Sequence, residues 1–267
     1  MNASTTKPFA VVTGASSGIG YELAKQFAQN GFDLLVTAED PGIVEAKRAF
    51  EGFGAQVESV QVDLASYDGV ETLYGRITAT GRPVDAIAIN AGVGVGGDFA
   101  RDTDLRDELN LINLNVVSTV HLAKRVVKDM VARGSGRILF TSSIAALMPG
   151  SFEAVYAASK AFVQSFAEAI RNELKDTGVT VTALQPGPTE TNFFHRAGMD
   201  DTRAGASKKD DPAQVAKQGF EALMAGKDHV IAGSIMTKLQ GAMAKVLPET
   251  LNAEQHRKLA EPGSGNE

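Results

Sequence analysis

Tyr156 and Lys160 stand four residues apart in Tyr156-Ala157-Ala158-Ser159-Lys160, inside a stretch of helical periodicity, so both side chains leave one face of a helix. An unperturbed phenol titrates at about 10 and is a poor base near neutrality, whereas an ammonium beside it favours the phenolate and brings that value down. The pair can then exchange a proton with an alcohol or carbonyl oxygen. The same spacing also serves as an ordinary surface pair. Ser143, at the end of the preceding apolar run, weighs toward chemistry, because a hydroxyl there can reach the same oxygen and complete a two-donor site for developing charge.

A second group of residues points to a phosphate-bearing ligand. Thr13-Gly14-Ala15-Ser16-Ser17-Gly18-Ile19-Gly20 follows directly on the first apolar run and opens a helix. Glycines there allow a tight turn and a close backbone approach to a pyrophosphate, whose charge suits the free N–H groups of a helix N-terminus. The spacing is G-x-x-x-G-x-G, neither G-x-G-x-x-G nor a P-loop, which would need lysine after its last glycine. A bare strand-to-helix turn would use the same residues. Asp63, followed by Leu64, ends a later strand, where its carboxylate either accepts from an adenine amino group or caps the next helix. Asn90-Ala91-Gly92 ends another, as a close passage by a ribose or as a plain loop.

The elements that must position these groups alternate between short apolar runs and amphipathic stretches, the pattern of βα units and a parallel sheet. Strands are expected at 9–13, 33–37, 57–62, 86–89, 138–141, 179–184 and 229–232, with helices at 19–30, after Asp40-Pro41, from Ser66 toward Thr80, at 110–133 and at 152–177. In such sheets ligands bind at the carboxyl ends of the strands, where the glycine turn, Asp63 and Asn90 all fall. Past Pro186 the periodicity lapses, and residues 189–211 read as a lid before Asp211-Pro212 restarts a helix. Residues 1–233 thus form one catalytic domain, and residues 234–267 a helical extension that ends in a flexible tail from Glu261.

Composition excludes several alternatives. The 32 acidic and 26 basic residues leave a formal charge of −6, the wrong sign for gripping nucleic acid. The chain has no cysteine, so disulfides and thiolate chemistry are out, and the histidines at 121, 195, 229 and 256 lack metal-ligand spacing; no metal is expected. The opening segment lacks a secretory pattern and no apolar run is long enough to span a bilayer, which leads us to expect a cytoplasmic protein without a membrane partner.

Taken together, the motifs resemble those of the short-chain dehydrogenase/reductase family, in its order and spacing, over residues 7–232. Thr13 to Gly20 reproduces the family's T-G-x-x-x-G-I-G turn, which implies dinucleotide contacts at Gly14, Ser16, Ser17, Gly18, Ile19 and Gly20. Asp63 falls on the adenine-contacting acid and Asn90-Ala91-Gly92 on the N-A-G segment, with Ile89 replacing the asparagine common before it. Ser143 precedes Tyr156 by 13 positions, the family's separation, which favours it over Ser142. Asn115 matches a helix asparagine at a local break that holds a proton-relay water. Pro186, Gly187, Thr189 and Thr191 match the segment that holds the nicotinamide carboxamide.

The resemblance implies a single doubly wound, Rossmann-type α/β domain with a mostly parallel seven-stranded sheet and helices on both faces. It implies hydride transfer between a nicotinamide dinucleotide and a secondary alcohol or ketone. Tyr156 is then the acid/base, Lys160 lowers its pKa and binds the nicotinamide ribose, Ser143 polarises the substrate oxygen and Asn115 joins the relay. A homodimer or homotetramer is implied, paired through the helices near 115–133 and 152–175. At the end of the second strand Glu39 and Asp40 would repel a 2′-phosphate, which favours NAD over NADP. Asp40 also reads as a helix cap, leaving Glu39 as the ribose ligand. Val93, Ala145, Leu147, Met148, Phe152, Phe193, Phe194 and Met199 are expected to line an apolar substrate pocket, and the extension to cover the surface beside the last strand or to reach into a partner. The competing reading is a dinucleotide-binding regulatory protein without turnover, against which the intact Asn115, Ser143, Tyr156 and Lys160 set argues.

Overall fold

A computed structural model describes residues 7–266. Its centre is a sheet of β1 (Phe9–Thr13), β2 (Asp33–Ala38), β3 (Val57–Gln61), β4 (Ala86–Ile89), β5 (Gly136–Thr141), β6 (Val179–Pro186) and β7 (His229–Ala232), in the order β3-β2-β1-β4-β5-β6-β7. Every pairing is parallel, for example Val11 opposite Leu35 on one side and Ile87 on the other. Because both faces are covered, central strands read as unbroken apolar runs; all of β1 is buried.

Helices α1 (Gly18–Gln29), α2 (Gly42–Glu51) and α9 (Pro212–Met224) cover one face. Leu23, Phe27, Ile43, Phe50, Val215 and Phe220 are buried there, and the Phe27 ring meets both Phe32 and Phe220 edge-on at 5.1 Å. Each such side chain contributes about 1.5–3 kcal/mol on burial. Helices α3 (Tyr67–Ala79), α5 (Ser118–Arg133) and α6 (Ala154–Glu173) cover the other. The strand order reverses between β1 and β4, which leaves a crevice at the carboxyl ends.

Three regions depart from the sequence expectations. The helix expected at 110–133 begins earlier, as α4 (Leu105–Ile112) capped by Asp104, while the local break that the resemblance implies at Asn115 takes the form of a π turn at Asn113–Val117 before α5. Asn115 explains the interruption: its amide both accepts from Val93 N–H and donates to Val93 carbonyl, at 3.0 and 2.9 Å, and this pulls the helix out of register. The stretch 189–211 is not structureless; it contains α7 (Phe193–Arg196) and α8 (Arg203–Ala206), with Phe194 and Met199 buried.

The extension also differs. Helices α10 (Ile235–Ala244) and α11 (Glu249–Ala260) turn back over the carboxyl ends of the strands, and Ala260 packs with Phe194 and Met199. Asp210 joins lid and extension, accepting from Ser234 N–H at 3.0 Å and from the Thr237 hydroxyl. The segment from Glu261, expected as a free tail, is docked instead. Gly263 donates to the Asp201 carboxylate and Gly265 to its carbonyl, while Ser264 accepts from Arg203 N–H.

Candidate active site

A cavity of about 500 Å³ occupies the crevice, and the glycine turn forms one end of it. Gly14 has φ +68, and a Cβ there would sit 2.9 Å from Ala91 Cα; one on Gly20 would strike the Gly14 carbonyl. Backbone therefore faces the cavity at both positions, beside Ser16, Ser17, Gly18 and Ile19. No side chain caps α1 and no acid stands in its first turn, so its N–H groups and dipole are free for an anion. These features fit a dinucleotide pyrophosphate.

The remaining segments read as cofactor-binding surround the same space. Asp63 and Leu64 line it; one Asp63 oxygen accepts from Ala65 N–H at 2.8 Å and so turns the loop, while the cap of α3 is Ser66. Asn90 braces the sheet, since it donates to the Thr13 carbonyl and accepts from Thr141, tying the ends of β1 and β5 to β4. Ala91 and Gly92 follow it, and a Cβ on Gly92 would lie 3.0 Å from Asn115 Oδ1 and 3.2 Å from Lys160 Nζ. Pro186, Gly187, Thr189 and Thr191 form the wall at the end of β6, with Thr191 against Gly18.

Glu39 lines the cavity but is paired with Arg196 of α7, and Asp40 accepts from the Ser16 hydroxyl at 2.6 Å and from Gly42 N–H at 3.0 Å. The acids at the end of β2 are thus engaged. Arg196, paired with Glu39, and Lys208 also line the cavity, so this end holds charges of both signs and fits either cofactor.

At the other end, Ser143, Tyr156 and Lys160 converge, all buried in the protein and all lining the cavity. Helix α6 places Tyr156 and Lys160 on one face, with Nζ 5.7 Å from the phenol ring centroid. Ser142 is spoken for, since its hydroxyl donates to the Lys160 carbonyl at 3.0 Å; the Ser143 hydroxyl accepts from Ala145 N–H at 3.1 Å, donates weakly to the Pro186 carbonyl at 3.4 Å and stands beside the tyrosine. The expected depression of the Tyr156 pKa is absent from the protein alone. Burial pushes the phenol up, the nearby Glu153 adds to this, and the Ser143 hydroxyl opposes it. Lys160 donates to the Thr141 carbonyl at 3.0 Å, and burial lowers its own pKa to about 8.

Asn115 does not line the cavity. Its side chain is used by Val93 and by Ser159, and its carbonyl accepts from Thr119. The local helix break is present as the π turn.

Of the expected pocket residues, Val93, Ala145, Met148, Phe193 and Phe194 line the cavity, with Phe193 5.1 Å from the Tyr156 ring. Leu147, Phe152 and Met199 do not. His195 is exposed and paired with Asp200 at 2.6 Å. Sequence reasoning missed the roof: Met236, Gln240, Met243, His256 and Leu259 of the extension, together with Glu153. The helical spacing of apolar residues in 235–259 was the available signal, but it could not tell which surface they cover. Among the described residues no cluster of three or more potential metal ligands occurs, and no helix is long and apolar enough to cross a membrane.

A cradle for a dinucleotide at one end of a cleft and a proton donor at the other are the equipment of a nicotinamide-dependent oxidoreductase. The family model for short chain dehydrogenases matches residues 8–202, and the chain belongs to the short-chain dehydrogenase/reductase family. An NADP-dependent 3-hydroxy acid dehydrogenase of Salmonella typhi is 29% identical over 215 residues, 80% of this chain and 86% of the relative. A short-chain dehydrogenase of Sphingobium yanoikuyae solved with NADPH superposes with a TM-score of 0.78 at 28% identity, covering 84% of this chain and 87% of that one. A family member of Burkholderia phymatum solved with NAD shares the fold, with a TM-score of 0.79 at 22% identity, covering 96% and 97% of the two chains.

Proposed function

We propose that the protein interconverts a ketone and a secondary alcohol by hydride transfer with NAD(H) or NADP(H). The convergence of Ser143, Tyr156 and Lys160 on one cavity whose far wall is the glycine turn carries this reading. The bound nicotinamide supplies or accepts the hydride. Tyr156 holds the proton exchanged with the substrate oxygen, and Ser143 donates to the same oxygen, stabilising its developing charge. Lys160 binds the nicotinamide ribose and keeps a positive charge beside the phenol. Asn115 holds the Gly92–Val93 backbone against Lys160 and fixes the position of its ammonium, which is its part in the relay.

At the adenosine end, Glu39 accepts from the ribose hydroxyls of NAD, and Arg196 swings from Glu39 to a 2′-phosphate when NADP is taken. An exposed apolar face on α4 and α6, including Ile112 and Phe162, supports dimer formation through these helices. Screening ketones and alcohols with both cofactors, with the absorbance of the reduced nicotinamide as readout, tests the reaction class. Loss of turnover in Tyr156→Phe with dinucleotide binding kept is the expected result; an active Phe variant refutes the acid/base role.

A further inference from the structure

The roof of the cavity contains a polar pair that the proposed chemistry does not use. Glu153 stands one helical turn before Tyr156, and His256 descends on it from α11; their side chains are each 9% exposed, line the cavity, and lie 3.4 Å apart. Several contacts hold the pair in place. Phe152, immediately before Glu153, has φ +64, in the left-handed region where non-glycine residues are strained, and its ring lies under the Arg257 guanidinium at 5.0 Å. Its carbonyl accepts from Gly97, while the Ser151 hydroxyl donates to the Ala253 carbonyl of α11. Two contacts of the strained Phe152 and one of Ser151 thus place the carboxyl in the roof, beside Met243, Leu259 and Ala260.

The hydrogen-bond partners fix the protons. His256 Nδ1 lies 2.9 Å from the Ser151 carbonyl, which only accepts, so Nδ1 carries the proton and Nε2 presents a lone pair to Glu153. Burial raises the pKa of the carboxyl to about 8 and lowers that of the imidazole, so the uncharged form of each is favoured, with Glu153 3.4 Å from Nε2. Neither carboxyl oxygen has a hydrogen-bond partner among the described residues, so the carboxyl is open to a ligand in the cavity. In its uncharged form the pair satisfies a hydroxyl or carbonyl group, whereas a carboxylate would have to be desolvated beside Glu153, whose only ionisable partner at ion-pair distance among the described residues is His256.

We infer that Glu153 and His256 form a second polar anchor in the substrate pocket, and that the substrates are ketones or alcohols carrying another uncharged oxygen, a hydroxyketone or diketone and its alcohol. This deepens the oxidoreductase reading and rests on it.

The test compares plain ketones with hydroxylated and carboxylated counterparts: 2-butanone against 3-hydroxybutan-2-one and 4-hydroxybutan-2-one, and 2-pentanone against 5-hydroxypentan-2-one and 4-oxopentanoate. For the wild-type protein with reduced cofactor, at least one hydroxyketone exceeds its plain parent in kcat/KM by about tenfold or more. That ratio falls toward one in Glu153→Leu and in His256→Phe. It is kept in Glu153→Gln, whose amide supplies the same neutral donor and acceptor. A purely structural role lowers both members of a pair together and leaves the ratio unchanged. A ratio near one at every spacing, a ratio that survives Glu153→Leu, or a preference for the oxo acid overturns the anchor. If no ketone turns over, the oxidoreductase reading itself has failed. Calorimetric titration of the same compounds into the dinucleotide-loaded protein then decides the anchor alone: tighter binding of a hydroxyketone, lost in Glu153→Leu, sustains it, and equal binding refutes it.

Discussion

The two ends of the cavity are built by different means. The dinucleotide end is backbone: Gly14, Gly20 and Gly92 are places where the chain itself forms the wall and where a single added carbon would collide. The substrate end is side chains on segments far apart in the chain, with Glu153 and Phe193 meeting Met243 and His256. A backbone wall tolerates one ligand shape and depends on short local motifs. A side-chain wall is set by which helices come to rest upon it and can be altered residue by residue.

Breaking the link between the ends has the largest effect. Tyr156→Phe is expected to lower kcat by about 10³-fold or more, with dinucleotide affinity within a few-fold of wild type by calorimetry. Next in size, Gly20→Val forces a side chain into the Gly14 carbonyl, and dinucleotide affinity falls by about 10²-fold or more without change in the substrate end. The reverse cut is a truncation after Leu247, which removes α11 and its contacts to the lid. It raises KM for ketones by about tenfold while dinucleotide affinity changes less, because the glycine turn is untouched. Equal losses of both affinities would show that the two ends are not separable.

A smaller effect sharpens the picture of the roof. Glu153 has a raised pKa in the folded protein, so its contribution to stability is full below its ordinary value of 4.5 and is lost as pH rises through about 8. His256 and Tyr156 are the titratable groups that face it. Thermal unfolding of Glu153→Gln is therefore expected to gain on wild type between pH 4.5 and 8; a gap that stays flat across this window would show that the carboxyl is not held neutral. The smallest change is Arg196→Ala, which removes a half-exposed ion pair with Glu39 worth about 0.2–1 kcal/mol. NADH affinity stays within about fivefold and the balance with NADPH moves toward NADH.

The same contrast decides what could be read from sequence. Gly14, Gly18 and Gly20, Ser143, and the Tyr156–Lys160 spacing were legible because each acts within a few residues of its neighbours, and the seven apolar runs were legible because the sheet is buried on both faces. The closure of the roof was not, since nothing local in Asn252 to Ala260 says that this face meets Phe194 and Glu153 rather than another subunit. The π turn was legible only through the resemblance at Asn115 and not from helical periodicity, because Asn115 breaks the helix by bonding to Val93, 22 residues away. Likewise the pairing of Glu39 was not legible, because its partner Arg196 lies on the lid, 157 positions later.

Because most of the roof comes from one uninterrupted stretch, residues 235–265, while the glycine turn, Asp63 and Asn90 lie outside it, the two can change largely independently. Exchanging that stretch between related enzymes is a way to graft a new specificity onto an unaltered hydride-transfer scaffold. The Asp201 and Asp210 contacts mark the seams at which such a transplant must be matched.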